Sequence, residues 1–181
     1  AKRDQKGAIE AFQSDLKNKV WPKGLREDVQ GWIDALRVIS TKNLDAESAE
    51  SLENLASKNI PPLLSDSMAY KPKSTVQFLY ISGLIFNFIN SHSAQDLTPG
   101  LLYWLAISDK FLNRGYFFSF SDVYLRECIQ RFPRSPVAPK CYSELESATL
   151  DSYTGSSGVH LPEDVKADLD RLKKLVGTKK E

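Results

Sequence analysis

The residue types that most often do chemistry are sparse in this chain, which has two histidines and two cysteines in 181 residues. His92 stands in Ser91-His92-Ser93, and His160 lies two positions before Pro162. Neither has a nucleophile or an orienting carboxylate at a recognisable spacing, so roles at a helix end and in a loop outweigh a catalytic triad. Two histidines and two cysteines at these separations also do not make a four-ligand zinc site of the cysteine-rich kind. No catalytic, cofactor-binding or metal-binding residue is therefore expected, and the chain reads as non-enzymatic.

Two clusters invite a binding role instead. Tyr116-Phe117-Phe118 falls where a turn is expected. Three consecutive aromatics cannot all point inward, so they pack on a neighbouring helix or leave an anchor exposed for a partner. Arg126, Arg131, Arg134 and Lys140 form a local basic cluster. It is either a solvated face around a helix end or a docking place for an acidic peptide, with Arg131 and Arg134 the foremost candidates.

The elements that must position these residues are helical. Ile9, Phe12, Leu16 and Val20 recur at helical steps before Pro22, and Leu25, Val29, Trp32, Leu36 and Ile39 repeat the period. Asp45 is a cap for a third helix with Ala49, Leu52 and Leu55 or Ala56 inward, and Pro61-Pro62 should break it, leaving at most a short turn to Met68. Lys71 to Ser74 reads as an extended entry, with Ser74 as the next cap. The apolar run Val76–Ile89 is too short for a membrane span, which needs roughly 20 residues, and reads as a buried helix. Thr98-Pro99 and Ser135-Pro136 put a cap before a proline, Ser119 to Asp122 has capping-box spacing, and a last helix begins near Pro162 with Val165, Leu169, Leu172 and Val176 inward. Thr154 to Gly158 is a helix–helix connection, and Gly115 to Phe118 is the best strand candidate but too short for a sheet. The expected fold is all-α, with eight or nine helices. Residues 1–70 form an N-terminal helical region and 71–181 a repeat-like one, within one continuous domain.

From Trp104 the chain reads Trp104-x-x-Ile107-Ser108-x-x-Phe111, then Ser121-x-x-x-Leu125-x-x-Cys128-x-x-x-x-Pro133. Large residues alternate with small ones so that two antiparallel helices can approach closely. This pattern resembles a tetratricopeptide repeat across roughly residues 99 to 135. Phe132-Pro133-Arg134-Ser135-Pro136 resembles the repeat endings of bacterial envelope proteins, namely outer-membrane-assembly lipoproteins and coordinators of cell constriction. One extra residue between Phe111 and Ser121, and Ser108 in place of the common glycine, depart from the pattern. The resemblance implies helical hairpins stacked in a short array that holds a protein or peptide and carries no chemistry.

The expected turn from Phe132 to Ser135 is centred close to the midpoint of Cys128 and Cys141, so in an antiparallel hairpin the two stand at about the same height. Either they form a disulfide, which needs Cα atoms within roughly 7 Å and an oxidising compartment, or they are two buried thiols in small-residue slots. Lys and Arg total 24 against 23 for Asp and Glu, a net charge of +1, so a nucleic-acid footprint is not expected. Ala1 in the place of an initiator Met fits a removed leader or an excised segment. The function expected is a protein–protein interaction scaffold or adaptor, periplasmic or otherwise envelope-associated, with a cytoplasmic place left open by the sequence. The alternative is a helical sensory domain enclosing a small ligand between Val76–Ile89 and the aromatic helix.

Overall fold

The computed structural model describes residues 4–38, 48–65, 72–93, 95–112, 119–156 and 158–177. Over these the chain is all-α: α1 (Gln5–Asn18), α2 (Lys23–Val38), α3 (Ala49–Ser65), α4 (Pro72–Ser91), α5 (Pro99–Leu112), α6 (Ser121–Arg131), α7 (Ala138–Ser152) and α8 (Glu163–Gly177). Two compact units divide the chain, residues 1–84 and 85–181, and the division falls inside α4.

In the first unit, Asp4 caps α1 by accepting the Gly7 N–H at 2.7 Å. α1 packs on α2, with Phe12 meeting Trp32 edge-on at 6.1 Å. Ile9, Phe12 and Leu16 are half-buried, but Val20 is exposed because α1 stops at Asn18 and the helical period no longer applies. Ile33 and Ala35 of α2 are buried, whereas Leu25 in its first turn is exposed. Gly31 permits a close approach: a Cβ there would lie 2.9 Å from the Pro72 ring.

The prolines of α3 depart from expectation. The helix continues through Pro61 and Pro62 to Ser65. The carbonyls that lose their donors belong to Ser57 and Lys58, both exposed, so water can satisfy them. Leu52, Ala56 and Ile60 form a fully buried stripe that holds the helix across the break. Lys71, Asp45 and Met68 lie outside the described residues. Of the extended entry expected over Lys71 to Ser74, the described residues Pro72 to Ser74 are helical instead. Pro72 occupies the first helical position, where its fixed φ suits the helix, and Ser74 is buried inside the helix instead of capping it. Val76, Phe78, Ile81, Leu84, Ile85 and Phe88 of α4 are buried. No helix among the described residues is long and apolar enough to cross a membrane.

In the second unit, α5 to α8 pack around one core: Leu102, Ala106, Leu125, Cys128, Ile129, Cys141, Tyr142, Leu145, Leu169 and Leu172. The Thr98 hydroxyl accepts the Leu101 N–H at 3.3 Å, so α5 begins at the cap and proline read from the sequence. Ser135 accepts the Ala138 N–H at 3.1 Å, but α7 starts only at Ala138, two positions after Pro136, because a turn intervenes. Glu163 and Asp164 open α8, and Leu169 and Leu172 are buried with Val165 and Val176 half-buried beside them. The connection before α8 is more ordered than expected. Thr154–Gly155 pairs antiparallel with Gly158–Val159, and Gly158 has φ of 104°, the left-handed region that glycine tolerates.

Candidate partner-binding surface

α5, α6, α7 and α8 alternate in direction. Asp109 near the end of α5 bonds the start of α6, Cys128 of α6 is bonded to Cys141 of α7, and Lys173 late in α8 approaches Glu146 of α7 at 4.0 Å. The disulfide bridges Cα atoms 6.5 Å apart, and both cysteines are fully buried. This realises the first of the two alternatives left by the sequence.

The other repeat positions take separate environments. Ile107, Ser108, Ser121 and Leu125 are buried, while Trp104, Phe111 and Pro133 are half-buried. The α5 members of the core are Leu102 and Ala106, with Tyr103 packed against it, and Trp104 meets the Tyr103 ring edge-on at 4.9 Å. Ser108 turns its hydroxyl back to donate to the Trp104 carbonyl at 2.8 Å, which satisfies a polar group in an apolar setting.

The start of α6 is fixed differently from the capping box in the sequence. Phe120 occupies the cap position, and its side chain can accept nothing. The Asp109 carboxylate, reaching over from α5, accepts the Phe120 N–H at 2.6 Å, the Ser121 N–H at 3.1 Å and the Ser119 hydroxyl at 2.7 Å. Asp122, the expected partner of Ser119, instead accepts from Arg126 at 2.9 Å. Sequence reasoning missed Asp109, although a signal was present. It is an acid in the last turn of a helix, where the macrodipole disfavours negative charge, so another structure must use it.

Of the basic cluster, Arg126 is committed to structure. It bridges Asp122 and Asp168 of α8. Burial lowers its pKa, but the hydrogen bonds and charges of both carboxylates outweigh this and raise it. Asp168 is held below the usual carboxylate range by hydrogen bonds from Arg126 and Arg171. Arg131 is exposed, pairs with Glu127 at 3.1 Å and lies 5.6 Å over the Phe132 ring. Arg134 and Lys140 are exposed, with no ion pair among the described residues. Tyr116, Phe117 and Phe118 lie outside the described residues.

Groups with catalytic potential are occupied locally. His92 donates its Nδ1–H to the Phe88 carbonyl at 3.0 Å and stacks on the Phe88 ring at 4.0 Å. The Tyr142 hydroxyl donates to Glu146 at 2.7 Å, and burial followed by that bond pushes its pKa up strongly. Burial also raises Tyr103, beside Glu144, and Tyr124, beside Asp109. His160 is the exception: it is exposed after the hairpin, and the bond it donates to the Tyr153 carbonyl at 3.1 Å comes from its backbone N–H.

No family model, curated protein or solved structure matches this chain. The exposed feature best built for holding a partner is the α6–α7 turn. It is tied by the disulfide at its base, contains Pro133 and Pro136, and presents Arg131, Arg134 and Lys140 outward. Such an edge can bind an anionic partner without first being ordered.

Proposed function

We propose that this protein is a non-enzymatic interaction scaffold of an oxidising compartment, a bacterial envelope, built from tetratricopeptide-like helical hairpins. The observation that carries the proposal is the buried Cys128–Cys141 link beneath an exposed basic turn. Persistent disulfides belong to secreted and periplasmic proteins, and a stapled turn is a preorganised contact surface. The local use of His92, Tyr142 and Asp109 supports a role in holding rather than transforming a partner.

The test is photo-crosslinking in the native source, with a benzoylphenylalanine at position 130, which is exposed at the end of α6. A discrete protein adduct is expected. Arg131→Glu with Arg134→Glu should weaken the adduct and leave the melting temperature almost unchanged, since surface substitutions usually stay within about 0.5 kcal/mol. An adduct indifferent to the double variant would move the interface elsewhere. No adduct from this position or from Phe120 would favour the small-ligand sensor.

A further inference from the structure

The alternation of α5 to α8 brings the end of α6, the following turn, the start of α7 and the last turns of α8 to one end of the second unit. Exposed cations collect there: Arg131, Arg134, Lys140, Lys173 and Lys174. The carboxylates toward that end are Glu127, which is engaged by Arg131, Glu146, which Lys173 approaches at 4.0 Å, Asp170, and Asp96 just before α5. Asp122, Asp151, Glu163 and Asp164 lie toward the opposite end.

Three further observations define what this end fits. Arg134 and Lys140 carry no ion pair among the described residues, so their donors face solvent. Their backbone is constrained by the disulfide, by Pro133, Pro136 and Pro139, and by the Ser135 bond to the Ala138 N–H. The exposed large apolar residues on and beside α6 to α8 are Phe120, Val123, Tyr153 and Val159, all toward the opposite end. A surface that inserts into a bilayer pairs its cations with apolar residues that enter the acyl boundary. Among the described residues this end exposes no large apolar side chain.

We propose that the α6–α7 end of the second unit docks an acidic polypeptide segment of a partner protein, with Arg134 and Lys140 as its principal carboxylate contacts. The inference rests on the scaffold reading and names its partner chemistry. A guanidinium matches a carboxylate with two parallel donors, so Arg134 confers geometry as well as charge. Charge complementarity of this kind also raises the association rate and makes binding sensitive to salt.

Fluorescence anisotropy of a labelled glutamate-rich peptide, titrated with the full oxidised chain, tests the idea. Binding is expected at low salt and should fall as salt rises. Arg134→Glu with Lys140→Glu should weaken it at least about tenfold, the loss typical of reversing rim charges at an electrostatic contact. Arg134→Gln with Lys140→Gln, which perturbs folding less, should weaken it by a smaller factor. Glu163→Gln with Asp164→Gln, at the opposite end, should leave binding within about twofold. Absence of peptide binding by the parent chain, or equal binding by the reversed variant, overturns the proposal. So does binding to anionic phospholipid vesicles or single-stranded DNA that depends on Arg134 and Lys140 when the peptide is ignored. Sedimentation showing self-association that the reversed variant abolishes assigns the end to a second copy and also overturns it. If crosslinking captures a partner that is indifferent to Arg134 and Lys140, this inference falls while the scaffold reading stands.

Discussion

Replacing Cys128 and Cys141 together by alanine removes the covalent link between α6 and α7. The two positions are 13 residues apart in sequence, and closing a loop of that size in the unfolded chain is worth about 3 kcal/mol. Each sulfur is fully buried among Leu125, Ile129 and Leu145, so its loss also leaves a small void worth up to about 1 kcal/mol. The expected total is about 3–5 kcal/mol, a large share of the 5–15 kcal/mol that holds a typical domain. Urea unfolding followed by circular dichroism, on the parent and the variant, measures it. The reduced parent should fall near the variant, because reduction removes the same constraint. A variant within about 0.5 kcal/mol of the parent would refute the entropic argument. Two free thiols in the unreduced, denatured parent would refute the bond itself, and with it the case for an oxidising compartment.

Asp109→Ala should destabilise the second unit by about 1.5–3 kcal/mol in the same assay, since it removes charged acceptors from two backbone N–H groups at the start of α6. Leu145→Ala, at a fully buried core site, should lose about 2–5 kcal/mol by thermal or urea melting. Asp168 has a depressed pKa in the folded state, so its contribution is present above the ordinary carboxylate value near 4 and is lost as pH falls through the folded value. Asp168→Asn should therefore flatten stability against pH below about pH 4, measured by melts across that range. Tyr142 has a raised pKa, so its contribution is present below the ordinary phenol value and lost as pH climbs through the folded value. Ultraviolet titration should show tyrosines ionising above the ordinary phenol range, and Tyr142→Phe should remove the most strongly displaced of them.

Helices were legible in the sequence wherever a cap and an apolar period agreed. Thr98-Pro99 and the charges around Pro162 mark their helices correctly because both signals are local. Pro61-Pro62 misleads because burial of Ile60, a tertiary fact, overrides a local break. Pro72 misleads in the other direction, since one residue type suits both an extended entry and a first helical turn. At the candidate site the equal heights of Cys128 and Cys141 were readable from the turn between them. The diversion of Arg126 to Asp168 was not, because its partner lies 42 positions away. Nor does sequence spacing show which cations gather at one end, since Lys173 reaches the α6–α7 end only once α8 is laid against α7.

The Asp109 cap makes the phase of α6 a property of α5. A helix started by its own loop shifts whenever that loop is lengthened, whereas α6 is latched at Ser119 to Ser121 by a side chain from the preceding helix. Loop closure grows only slowly with length, by about 0.6 kcal/mol per doubling. Insertions placed between Leu112 and Ser119 should therefore leave the α5–α6 packing in register as long as Asp109 is kept. The hairpin is a natural acceptor for grafted sequences, and its evolution can vary that segment while leaving the basic end of the bundle unmoved.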